Sequence, residues 1–159
     1  LLAWRAGEMA AEGADADAIE TELARLKPLT RTWAMARDIS HAVRGGRIPR
    51  WAEPVVRWSG LTPIAAVSPQ GTLKVAGGLF ARQGAPEAFA RYVAKRTPAA
   101  PGWRLIVGHS DALADGERLL AALRARLPVT ESHLVEVGPA VGAHAGPGTL
   151  VVGLQPSPG

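Results

Sequence analysis

The stretch Gly138–Leu154, GPAVGAHAGPGTLVVGL, restricts what this chain can fold into more than any other. Five of its seventeen residues are Gly and two are Pro, and His144 is the lone imidazole among them. Thr149–Leu154 then reads as a buried strand. Glycines let a backbone or ligand come close, and Pro147 fixes one φ and removes one donor. The stretch is therefore read as a tight turn carrying one imidazole and joined to a core strand.

The rest of the chain supplies elements for that strand to pair with. Leu1–Glu12 reads as a helix stopped by Gly13, and a second helix follows a cap at Asp15 or Asp17. Its face is Ile19, Leu23 and Leu26, and Pro28 ends it. Arg31–Arg37 reads as a short strand and Asp38–Val43 as a helical turn or two before Gly45-Gly46. Arg47 then stands on a constrained loop. Trp51–Trp58 reads as a helix. Leu61–Val67 and Thr72–Val75 flank a Pro/Gly turn as a hairpin, with a bulge or bend at Gly77-Gly78. A helix opens at Ala85-Pro86-Glu87 and ends at Thr97-Pro98. Trp103–Gly108 reads as a strand, and Ser110 or Asp111 as the cap of a helix running to Leu127. Val129–Val137 alternates as a half-exposed strand. The expected fold is α+β, a mainly antiparallel sheet of about five to six strands with helices packed on it.

The 159 residues suit one domain of ordinary size. The chain contains no Cys, which removes disulfides and thiolate chemistry. It has no apolar run of spanning length and no signal-peptide layout, so a cytoplasmic protein is expected, with at most transient membrane contact. Net charge is +4, but the arginines are dispersed and aromatics are sparse, which argues against nucleic-acid binding. The four histidines lack zinc spacing, and neither a phosphate-binding fingerprint nor a nucleophile elbow occurs. What remains is Arg47, Arg82 and His144 on Gly-rich or strand-end loops. Such groups suit recognition of an anion. Two other readings stand beside it: a small hydrolase or phosphotransfer component using His144, with Ser110 the nameable nucleophile, and an anion or nucleic-acid binder.

Gly142-Ala-His144-Ala-Gly146-Pro-Gly148 before the last strand resembles the terminal motif of the DegV family, with Ala145 where that motif usually carries Thr. Arg44-Gly-Gly-Arg-Ile48, Pro63-Ile64 with Gly71, Phe80-Ala-Arg82 and Ile106–Ala112 resemble further family motifs in the same order. The resemblance covers residues 1–155, leaving 156–159 as a tail, and matches the C-terminal domain of a family member. It implies that an N-terminal α/β domain belongs to the complete protein. It implies a carrier of a long-chain fatty acid, with no cofactor and no catalysis of its own. The carrier presents its ligand to a fatty acid kinase related to dihydroxyacetone kinases for acyl-phosphate formation. On that resemblance His144, with Gly142, Gly146 and Gly148 around it, lies at the carboxylate end, and Arg47 and Arg82 lie near that face, one or both serving the carboxylate region or docking with the kinase. Leu61, Ile64, Val75, Leu79, Leu150 and Val152 are candidates for an apolar lining, or for plain core.

Overall fold

The computed structural model describes residues 1–46, 50–68, 70–81 and 83–158. Two helices, α1 (Leu2–Ala11) and α2 (Ala16–Leu26), precede a single 3-10 turn and strand β1 (Arg31–Met35). Asp15 caps α2 by accepting from Ala18 N–H at 2.8 Å. Two short helices follow, α3 (Ser40–Arg44) and α4 (Ala52–Ser59), and then the hairpin β2 (Thr62–Val67) and β3 (Leu73–Leu79). The remainder is α5 (Ala85–Arg96), β4 (Trp103–His109), α6 (Leu113–Arg124), β5 (Val129–Glu136), α7 (Pro139–Ala145) and β6 (Leu150–Pro156). The six strands form one sheet in the order β3-β2-β1-β6-β4-β5. Only the β4–β5 pair is parallel, and α6 is the crossover between them. The α+β reading of the sequence holds.

Strand alternation sorts the residues between two faces. Trp33, Met35, Ile64, Leu105, Val107, Leu150, Val152 and Leu154 point to one side and form the core with Phe89 and Val93 of α5 and Leu119 and Leu123 of α6. Ile64, Leu150 and Val152 are fully buried there, so these three of the candidate lining residues are core. The opposite face carries α1: Leu1 packs over Gly153, Glu8 binds Arg104 and Trp4 meets the His133 ring edge-on at 4.5 Å. Val75 and Leu73, at the far end of that second face, are 73% and 60% exposed.

The bend expected at Gly77-Gly78 is a bulge. Ile64 pairs with Gly77 and Ala65 with Val75, which leaves Ala76 as the extra residue. Its carbonyl accepts from Tyr92 Oη of α5 at 2.6 Å, so the bulge also ties the edge strand to a helix. Tyr92→Phe leaves that carbonyl without its partner and is expected to cost about 1 kcal/mol in urea unfolding. An unchanged midpoint would mean that water replaces the phenol at no cost.

Two local expectations are corrected. The stretch after Gly138 is a helix rather than a turn: Pro139 occupies the first helical position and the alanines that follow carry the chain through α7 to Ala145. Ser110 and Asp111 do not cap α6. Ala112 is its N-cap, without a side-chain cap bond, and Asp111 turns the chain out of β4 at φ 47°. Asp tolerates that left-handed conformation better than most residues. Ala112 N–H instead points at Nδ1 of the buried His109, at a long 3.4 Å.

Candidate functional site

The strands β1, β4 and β5 all end at one edge of the sheet, where β6 begins, and α3 and α7 both sit there. The edge is built outward from backbone. Ser110 N–H donates to Thr149 O at 3.0 Å and Ser110 O accepts from Gly148 N–H at 2.8 Å, which extends the β4–β6 ladder past its last paired residues. Thr149, fully buried, donates its hydroxyl to Ala145 O at 2.7 Å and so ties off the end of α7. Gly146 N–H donates to Gly142 O at 2.8 Å and closes the last turn.

His144 therefore stands in the last turn of a short helix, with its side chain exposed. Its Nδ1 lies over α3, 3.0 Å from where a Cβ on Gly45 would be. Gly142 faces Ser110: a Cβ there would meet Ser110 Oγ at 3.5 Å, an ordinary contact. Gly146 and Gly148, at φ 76° and 79°, make the turn around Pro147. Gly146 is covered by the ring of His41 and Gly148 by the aliphatic stem of Arg37. The Arg37 guanidinium reaches Asp115 of α6 at 2.7 Å.

The structure thus brings together His144, Gly142, Gly146 and Gly148. Arg47 and Arg82, the two arginines expected beside them, lie outside the described residues. His41 joins the cluster, and so does Arg37. A His one turn before a Gly-Gly helix stop was the available sign for His41, but its contact is with a glycine more than a hundred residues later. Among the described residues, no group of three or more His, Asp or Glu side chains is arranged to hold a metal ion. None of the described helices is long and apolar enough to cross a membrane.

A family model described as "Uncharacterised protein, DegV family" matches residues 1–157. The chain belongs to the DegV family. A DegV domain-containing protein of Clostridium perfringens is 26% identical over 152 residues, which is 96% of this chain and 52% of the relative. Among solved structures, the fatty acid binding DegV family protein of Streptococcus agalactiae superposes with a TM-score of 0.78 at 22% identity, covering 99% of this chain and 55% of that one. The fatty acid kinase B3 protein of Streptococcus pneumoniae, loaded with linoleic acid, superposes at 0.84 with 15% identity, covering 98% and 55%. A DegV protein of Thermus thermophilus, described by its fatty acid binding, superposes at 0.79 with 24% identity, covering 98% and 56%. The chain spans about half the length of the relatives it matches.

Proposed function

We propose that this chain forms one wall of a fatty-acid-binding site and supplies His144 to the carboxylate end. The observation that carries the reading is the edge where β1 and β4 end. His144, the Gly146-Pro-Gly148 turn and the buried Ser110–Thr149 pairing meet there, in a DegV chain whose structural neighbours include a protein loaded with linoleic acid. An exposed imidazole beside a glycine turn leaves room for a carboxylate and can donate to it. Val75 and Leu73, exposed on the sheet face that α5 and α6 do not cover, are apolar surface of the kind an acyl chain covers.

The finer reading is a cytoplasmic carrier that needs no cofactor. This chain acts as its C-terminal half, and an N-terminal domain contributes hydroxyl groups for the carboxylate. A kinase partner receives the ligand for acyl-phosphate formation. Arg47 and Arg82 enter on their sequence motifs alone, as groups for the carboxylate region or for kinase docking.

The test is to express the protein as its gene encodes it in bacteria, extract it with organic solvent and weigh the extract by mass spectrometry. Near-stoichiometric fatty acid is expected, and clean protein without any would overturn the reading. His144→Ala is expected to weaken retention about tenfold, the loss of one hydrogen bond to a charged group. Unchanged retention would remove His144 from the site.

A further inference from the structure

Two helix ends at this edge exchange imidazoles. His144 of α7 covers Gly45, which ends α3. His41 of α3 covers Gly146, which ends α7. The second contact is the closer: a Cβ on Gly146 would stand 2.7 Å from His41 Cδ2, 3.1 Å from Cγ and 3.3 Å from Nε2. Next to it the Arg37 stem lies 3.3 Å from where a Gly148 Cβ would be. Residues 37–45 and 142–148 therefore interlock at three points, and each contact is a side chain seated on a bare glycine.

Among the described residues, few other contacts of the helix α7 stand out. It is seven residues long and none of them is buried. Its C-terminal carbonyl is tied to Thr149 and its middle rests near Ser110. The ring of His41 bears on the residue two places after His144. Its thickness sets how closely that end of α7 approaches α3. The contact runs mainly through the carbon edge of the ring, so it depends on shape more than on a proton.

We infer that His41 is a positioning residue for the carboxylate edge: its ring, seated on Gly146, sets where α7 presents the His144 imidazole. This rests on the reading of His144 as the carboxylate donor. His41 lies outside the stretches of the chain that carry the family resemblance.

The experiment uses the protein as its gene encodes it, with histidine ring nitrogens labelled and oleate as the probe. His144 ring signals are followed in wild type, His41→Ala and His41→Phe. In His41→Ala the ligand-free His144 signals are expected to move and oleate binding to weaken about tenfold. In His41→Phe, which keeps a ring on Gly146, both are expected to stay near wild type. Unmoved His144 signals in His41→Ala would overturn the inference. So would His41→Phe behaving like His41→Ala, because the nitrogens and not the ring shape would then matter. If oleate leaves wild-type His144 unmoved, the carboxylate reading fails by itself, and the ligand-free comparison still decides whether His41 positions the ring.

Discussion

Gly146→Ala is expected to destabilise the chain by about 3 kcal/mol, whereas Gly142→Ala, in the same motif, is expected to stabilise it by about 0.5–1 kcal/mol. Gly146 has φ 76° and ψ 171°, a region that essentially only glycine occupies and that costs a side-chain residue about 1–3 kcal/mol. A methyl group there also runs into the His41 ring at 2.7 Å, and that ring is wedged between α3 and α7. Gly142 lies inside α7 with helical neighbours, where glycine is a poorer choice than alanine. Its new methyl would meet Ser110 Oγ at an unstrained 3.5 Å. For a chain of this size the first change should lower Tm by roughly 6–12 °C. Thermal melts of both variants decide it: equal effects, or a destabilised Gly142→Ala, would mean that α7 does not persist in solution.

Arg104→Met is expected to cost about 2 kcal/mol and to loosen α1. Arg104 sits near the start of β4 with its side chain 10% exposed. It donates to both carboxylate oxygens of Glu8, at 2.7 and 2.6 Å, meets Glu131 at 3.2 Å and stacks over Trp4 with its guanidinium carbon 4.6 Å from the ring centre. A bidentate pair of this kind is among the stronger polar contacts, and here it clamps a helix to the sheet. Glu8 and Glu131 keep partial access to water, so removing the arginine does not strand a fully buried charge. Faster hydrogen exchange confined to the α1 amides is the expected signature, and protection at the wild-type level would show that Leu1 and Trp4 hold α1 by packing alone.

The same contact has a pH signature. The hydrogen bonds from Arg104 hold the Glu8 carboxyl below its ordinary value of 4.5, against an opposing effect of burial and with help from the Arg104 charge and from Arg5. A depressed carboxyl stabilises the fold above its unfolded pKa and loses that contribution as pH falls through the folded one. Wild type should therefore lose stability as the pH drops below 4.5, and Arg104→Met should lose less over the same range. Glu22, Glu87 and Asp38 are lowered too and act in both proteins, so the difference between the two curves reports the carboxylates that Arg104 contacts, Glu8 and Glu131, with the bidentate Glu8 the main one. Parallel curves would show that the Arg104 contacts have no part in acid unfolding.

Much of this protein was legible in consecutive residues. The pattern Ile19, Leu23, Leu26 marks α2, with Asp15 as its cap, and Pro86 with Glu87 opens α5 where expected. Apolar runs mark the strands because side chains in a strand alternate and a buried face must be apolar along its length. The helix α7 was not legible. Residues 138–148, with two prolines and four glycines, read as loop, and docking against α3 and Ser110 helps make 139–145 worth ordering as helix. The tie between Thr149 and Ala145 was also hidden, since nothing local tells a hydroxyl to return to a helix end.

By itself, the chain's sequence determined the order of every element but α7, the α+β class and the glycine motif around His144, because each depends on neighbours a few residues apart. The tertiary structure decided which face each strand shows to the helices. It buried Ile64, Leu150 and Val152 in the core and left Val75 exposed. It also joined Glu8 to Arg104 and His41 to Gly146. Those pairings follow from the strand order β3-β2-β1-β6-β4-β5, which sets β6 between β1 and β4 in the middle of the sheet and which no run of adjacent residues encodes.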